Sequence, residues 1–232
     1  MGLNWRGPEP PEDPPYTGVV VASVPSRHTD ALTLGASAVL VPIKAFAEAK
    51  RRLHPALSAA ERSELARAMA DRVLEACGPL PVAVVCDDRA VASWARRRGA
   101  LVIWEPGRGL NGAVEAGVEH LGRAGVARIT VAHADLPRAE RLWDVDTGHG
   151  VVLVPDRFGN GTNVLAIPTG AGFRFSYGPG SFARHRTEAQ RLSLPITELA
   201  RPDLAWDVDE PADVVPVGDH GPVSPLPGAL AR

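Results

Sequence analysis

Apolar positions in this chain fall into short runs separated by stretches of helical period. Runs at 38–41, 82–86, 100–104 and 128–132 are rich in Val, Ile, Leu and Ala. Their continuity, rather than strict alternation, predicts strands covered on both faces. Between the first two lies Ser58-Ala-Ala-Glu61, a capping-box pattern, followed by apolar residues at Leu65, Met69, Val73 and Leu74. That spacing predicts a helix with one buried face, ending before Gly78-Pro79. Helices are also predicted over 89–98 and from Gly109 to about 124, with Asn111 as a cap of the latter. This alternation predicts an α/β fold: a mostly parallel, mixed central sheet with helices on both faces. Ligands of such sheets bind beyond the carboxyl ends of the strands, the edge that carries Lys44, Asp87 and Asp135.

The second half has a different texture. Strands are expected at 151–154, 163–167, 192–196 and 204–208, and a helix over 182–191. Residues 1–35 open on Pro-Glu-Pro-Pro-Glu-Asp-Pro-Pro without a sustained period, so a disordered leader is expected, then one domain over 36–216, then a flexible tail over 217–232.

Composition narrows the function classes. A chain of 232 residues with 45% hydrophobic and 22% charged residues suits one globular domain. A formal net charge of −2 gives no footprint for a nucleic-acid partner. No run approaches the length of a membrane helix, and the N-terminus lacks a signal-peptide pattern. Cys77 and Cys86 are too few for a disulfide framework and are expected to be reduced core residues of a cytoplasmic protein. Oligomeric state, a homodimer included, stays open.

The candidate chemistry begins with lysine. Of 25 Lys and Arg, only Lys44 and Lys50 are lysine, and both lie in the loop after the first strong strand, with Arg51 and Arg52. Compact ammonium groups act as point charges on phosphate. The loop therefore reads either as an anion cradle or as a solvated basic loop. Asp135, in Ala-Asp-Leu-Pro at a strand end, is placed either to hold a hard cation or to cap a loop. A magnesium site needs a second carboxylate. Asp207 and Asp209 are the candidates, one face of an alternating strand carrying both. Asp156-Arg-Phe-Gly-Asn-Gly-Thr162 offers glycines for close backbone approach, and Gly178-Pro-Gly-Ser181 opens a helix where free amides favour an anion. Each is otherwise an ordinary turn. His133 and His120 read as structural. No Ser-His-Asp triad, Cys/His zinc pattern or Walker loop is present.

In order, Val-Pro-Ile-Lys44…Lys50-Arg-Arg52, Gly109-Leu-Asn111, Ala-Asp135-Leu-Pro, the Asp156–Thr162 stretch, Gly178-Pro-Gly-Ser181 and Asp207-Val-Asp209-Glu-Pro-Ala-Asp213 resemble the 2-phospholactate/phosphoenolpyruvate guanylyltransferase (CofC/FbiD) family. The resemblance implies a MobA-like nucleotidyltransferase fold and activation of a three-carbon phosphate for assembly of the deazaflavin coenzyme F-420. It further implies that Lys44, Lys50 and Arg52 hold the GTP phosphates and that Asn111 lies near the nucleoside. Asp135 and Asp209 would bind Mg2+, with Asp207 a third carboxylate, and Lys44, Lys50 and Asp135 would be the catalytic set. Thr162, Gly178 and Ser181 match the positions for the phosphorylated acid. Two departures stand out: Glu210, where the family commonly has Thr, and Arg108 in Pro-Gly-Arg-Gly. Other acceptors of this fold (a sugar phosphate or a molybdopterin) and a non-catalytic nucleotide-binding module remain alternatives. The residues alone do not choose among phosphoenolpyruvate, 2-phospholactate and 3-phosphoglycerate, or guanine over adenine.

Overall fold

The computed structural model describes residues 19–20 and 35–214. The remainder of the expected leader and the whole expected tail over 217–232 lie outside the described residues. The elements follow in order: β1 (Val19–Val20), β2 (Ser37–Pro42), α1 (Ala59–Ala76), β3 (Val82–Cys86), α2 (Arg89–Arg97), β4 (Leu101–Trp104), α3 (Gly109–Arg123), β5 (Arg128–Ala132), β6 (Val151–Pro155), β7 (Thr162–Pro168), α4 (Ser181–Arg191), β8 (Ile196–Glu198) and α5 (Pro202–Ala205). The strands form one mixed sheet in the order β1-β4-β3-β2-β5-β7-β6-β8. Its centre, β4-β3-β2-β5, is parallel, β7 runs antiparallel to both β5 and β6, and β8 is parallel to β6. Val19 and Val20 pair antiparallel with Ile103 and Val102, at one edge of the sheet.

Continuous apolar strands are buried on both faces, as the pattern requires. Val39 and Val41 of β2 join a cluster with α1 and α2, while Ala38 and Leu40 join a second with α3 and α4. Both faces of β2 thus leave water, and its carboxyl end is the part free to meet a ligand. The capping box forms in full: the Ser58 side chain accepts from the Glu61 amide and Glu61 accepts from the Ser58 amide. Asp88 caps α2 by accepting from the Val91 amide at 2.9 Å. Cys77 and Cys86 are free and buried, and burial pushes their thiols up to about 12 and about 11.

Three local expectations differ from the structure. Asn111 lies inside the first turn of α3, and the N-cap position is Arg108, which pairs with Glu105 at 2.7 Å. Residues 192–195 close α4 instead of starting a strand. The Leu194 amide returns to the Ala189 carbonyl and Ser193 takes a positive φ of 54°, so pairing with β6 starts only at Ile196. Finally, 204–208 is no strand. Pro202 stands in the first turn of α5, where its fixed φ suits a helix, and residues 206–209 follow without sheet pairing. Among the described residues no helix is long and apolar enough to cross a membrane.

Candidate active site

The loop after β2 carries two short 3-10 helices, Phe46–Glu48 and Arg51–Leu53. Lys50 between them adopts a left-handed backbone, φ 54° and ψ 39°. Such a conformation costs a non-glycine residue about 1–2 kcal/mol, so the surroundings must hold it. They do so at both ends. The Leu53 amide donates to the Lys50 carbonyl at 2.9 Å, and the Lys50 ammonium donates to Asp135 Oδ2 at 2.6 Å and Asp209 Oδ1 at 2.9 Å.

Two carboxylates far apart in the chain therefore meet on one ammonium. Asp135 arrives by the turn after β5. Asp209 arrives because the Val208 amide reaches the Asp135 carbonyl at 3.4 Å, a placement by loop contact and not by strand alternation. The Lys50 side chain is only 10% exposed. Burial opposes its charge, but Asp135 and Asp209 outweigh that and hold its pKa above the usual lysine value. Burial likewise pushes the Asp135 carboxyl up, yet Lys50, with help from His133, holds it net below the usual carboxylate range. Asp207 behaves oppositely: burial first, then the charges of Asp135 and Asp209, raise its pKa. Three carboxylates thus feel one another here. Among the described residues no three acidic, His or Cys side chains stand ready-gathered as a metal cluster, Lys50 being interposed between two of these. Asp135 Oδ1, His133 Nε2 and Tyr177 Oη are buried with no hydrogen-bond partner among the described residues.

Lys44 and Arg52 sit on the same loop as Lys50, exposed and without an ion pair among the described residues. Asn111 is engaged, its Oδ1 accepting from the Tyr177 amide at 2.6 Å, which ties the start of α3 to the segment before α4.

The second-half loops are more self-contained than their sequence suggests. Asp156 Oδ1 accepts from the Phe158 and Asn160 amides at 3.0 and 2.9 Å, and Oδ2 from the Gly161 amide at 2.7 Å. A Cβ on Gly161 would stand 2.7 Å from Asp156 Oδ2. The close approach that glycine permits here is to a carboxylate of the loop itself. Thr162 and Ser181 do come together: the Thr162 amide donates to Ser181 Oγ at 2.9 Å, and both residues are 1% exposed. His185 completes this group. Its Nε2 accepts from the Ser176 amide at 3.0 Å, which leaves the ring proton on Nδ1 to donate to Thr162 Oγ1 at 3.0 Å. Burial first, and the nearby Arg184 charge after it, lower the His185 pKa to about 4.

Gly178 and Gly180 take φ values of 114° and 76° in the turn that opens α4. The carbonyls of Ser176 and Pro179 accept from Arg184, while the amides of Gly178 and Gly180 donate to nothing among the described residues. The Ser181 and Phe182 amides are already taken, by the Gly178 and Asn160 carbonyls. Glu210, the departure noted above, is local: its side chain caps the short 3-10 helix Pro211–Asp213, and Asp213 returns the bond.

The sequence profile of the family "Guanylyl transferase CofC like" matches residues 37–223, most of the chain. The chain belongs to that family. Curated relatives agree with this placement. The phosphoenolpyruvate guanylyltransferase of Sphaerobacter thermophilus is 35% identical over 193 residues, 79% of this chain and 93% of that one. The protein of the same name from Mycolicibacterium smegmatis is 35% identical over 202 residues, 82% and 88% of the two chains. Among solved structures, a protein described as a nucleotide-diphospho-sugar transferase from Desulfovibrio desulfuricans G20 superposes with a TM-score of 0.61 at 15% identity, over 75% of this chain and 83% of that one. At that identity the likeness establishes the nucleotidyltransferase fold alone.

Three side chains of the CofC-like chain that neither spacing nor resemblance singles out matter to this geometry: Arg157, His185 and Asp213. His185 stands four residues after Ser181, hence on the same helical face, and that signal could have found it. Asp213 stands three after Glu210 with Pro211 between, a short-helix capping pattern. For Arg157 no local signal existed.

Proposed function

We propose that this chain transfers GMP from GTP to the phosphate of a three-carbon phosphorylated acid, phosphoenolpyruvate first and 2-phospho-L-lactate second, in assembly of the deazaflavin coenzyme. The single observation that carries the reading is the convergence of Asp135 and Asp209 on Lys50, beside an exposed cationic loop at the carboxyl edge of the sheet. The names of the curated relatives, phosphoenolpyruvate guanylyltransferase, support guanylyl transfer and the first of these acids.

A phosphate oxygen of the acid forms a new bond to the α-phosphorus of GTP, while the bond from that phosphorus to the bridging oxygen of the β-phosphate breaks and pyrophosphate leaves. The nucleophile is already anionic, so no proton need be removed. What the protein must supply is charge compensation and alignment of two anions. Lys44 and Arg52, uncommitted to any carboxylate among the described residues, take the triphosphate, and Lys50 offers it the third donor of its ammonium. Asn111 borders the nucleoside side. The unused amides of Gly178 and Gly180 receive the acid, with Thr162 and Ser181 fixing the wall behind them.

The residues present fit a magnesium ion. Asp135, Asp207 and Asp209 are hard oxygen donors, and Asp135 Oδ1 is buried without a partner. Bound there, Mg2+ would neutralise charge developing on the leaving pyrophosphate. The test is incubation of the full chain with GTP, Mg2+ and, separately, phosphoenolpyruvate, 2-phospholactate, 3-phosphoglycerate and a sugar phosphate. Pyrophosphate release with a three-carbon acid is expected, and mass spectrometry should find the matching diphosphate-linked product. Release only with the sugar phosphate, or with none of them, defeats the proposal.

A further inference from the structure

Asp209 presents a puzzle of placement. Its side chain is 50% exposed, so packing does not hold it against Lys50. Its direction must come from the backbone, and no strand fixes that backbone. Two residues outside the carboxylate group do. Asp213, 4% exposed, accepts the Asp209 amide at 2.9 Å and the Glu210 amide at 2.8 Å on Oδ2. Its other oxygen accepts from Arg157 Nη2. Arg157 Nη1 donates to the Asp207 carbonyl at 2.7 Å, and its own amide donates to the Ala205 carbonyl at 2.8 Å. The guanidinium carbon lies 4.3 Å from the Trp206 ring centre and 4.5 Å from that of Phe158. One arginine thus binds the segment 205–213 at four points: two main-chain carbonyls, one ring and one buried carboxylate.

We propose that Arg157 and Asp213 are positioning residues for Asp209, through which the loop after β6 sets that carboxylate opposite Asp135. The inference rests on the nucleotidyl-transfer reading above. It also joins the two sides of the site. Arg157 belongs to the loop that Asp156 folds, and the Asn160 carbonyl of that loop accepts the Phe182 amide at the start of α4. The turn at 178–181 and the carboxylate at 209 are therefore linked by one short run of hydrogen bonds. A buried carboxylate needs its partner, so Arg157 and Asp213 act as a unit.

The experiment measures magnesium binding apart from turnover. Mg2+ is titrated calorimetrically into the full chain saturated with α,β-methylene-GTP, for wild type, Asp213→Asn, Arg157→Met, Arg157→Lys and the double variant Arg157→Met/Asp213→Asn. Loss of an outer partner of a metal ligand typically weakens the metal about 10–100-fold, and a rise of that order in the magnesium dissociation constant is expected for Asp213→Asn. Arg157→Lys keeps the charge but not the fork, and should fall between wild type and Arg157→Met. At saturating Mg2+, kcat should recover to within a few-fold of wild type. If Asp213→Asn strands Arg157 and fails to fold, the double variant removes both charges and carries the test. Its magnesium constant should match that of the worse single variant, since the pair acts as one.

A pair that served only stability would lower the melting temperature and leave the magnesium constant untouched, and that result overturns the proposal. Wild-type protein that binds no Mg2+ would sink the metal reading itself, along with this inference. Wild type that binds Mg2+, next to a folded double variant that binds it equally well, would sink this inference alone.

Discussion

In the loop after β2, Lys44 and Arg52 stand exposed with no ion pair among the described residues, and Lys50 reaches across to two carboxylates. In the loops after β6 and before α4, by contrast, polar groups are paired with one another. Asp156 takes three amides of its own loop, His185 joins the Ser176 amide to the Thr162 hydroxyl, and Arg184 gathers the carbonyls of the turn. The first region keeps Lys44 and Arg52 available for a ligand, while Arg51 pairs with Glu48 and Lys50 with Asp135 and Asp209. The second is preorganised, leaving the amides of Gly178 and Gly180 uncommitted among the described residues. The contrast suits the proposed reaction between two anions: exposed cations would gather a flexible triphosphate, while a preorganised wall would hold a small acid in line. It also separates two kinds of damage. Substitutions in the first region should cost rate and affinity with little stability, and those in the second should cost both.

The largest effect should come where the regions meet. Asp135→Asn removes one of the two carboxylates on Lys50, and the rate of pyrophosphate release should drop about 10²–10³-fold, the scale for loss of one preorganised electrostatic contact. Measured with saturating GTP and acid, a loss below about tenfold would mean that the convergence of Asp135 and Asp209 is incidental to turnover.

Next is a property of the preorganised region alone. An unfolded imidazole titrates near 6.5, whereas that of His185, 0% exposed, is lowered by burial to about 4. Between those values the unfolded chain binds a proton that the folded chain does not. Stability should therefore fall as pH drops from 6.5 to about 4 and level off below, by about 3 kcal/mol in all. Denaturant unfolding at a series of pH values reads this slope directly. His185→Phe should be less stable at neutral pH, because it strands the Ser176 amide and Thr162 hydroxyl, and should lose this part of the pH dependence. If the slope persists unchanged in that variant, His185 is not the group responsible.

How far the sequence could be read follows the same division. The doubly covered strands β2, β3 and β5 and the capping box of α1 were legible, because continuous apolar runs and local caps are short-range signals. So was membership of the family, since its motifs are local strings. The placement of Asp209 was not. An alternating strand was the simplest way to bring Asp207 and Asp209 to one face, but beyond the local bond to Asp213 the segment is anchored by Arg157 and the Asp135 carbonyl, both distant in sequence. The glycine-rich loop at 156–161, open in the sequence between a ligand cradle and an ordinary turn, stayed undecided for a related reason. Its glycines suggested an external ligand, while the nearest acceptor, the Asp156 side chain, already takes the amides. A sequence shows that a backbone can come close to something, but not to what.

The smallest effect sharpens the comparison most, because it pairs one substitution from each region. Lys44→Ala removes an exposed charge with no ion pair among the described residues, so folding stability should stay within about 0.5 kcal/mol of wild type. A charge-assisted contact to phosphate contributes about 1.5–3 kcal/mol, so the KM for GTP should rise about 10- to 150-fold, with the KM for the acid unchanged. Asp156→Ala frees three amides at once and should lower the melting temperature while raising the KM for the acid and sparing that for GTP. If Lys44→Ala instead destabilised the fold, or if both variants shifted both Michaelis constants together, the two regions would not divide the ligands between them. The division would then be one of packing and not of function.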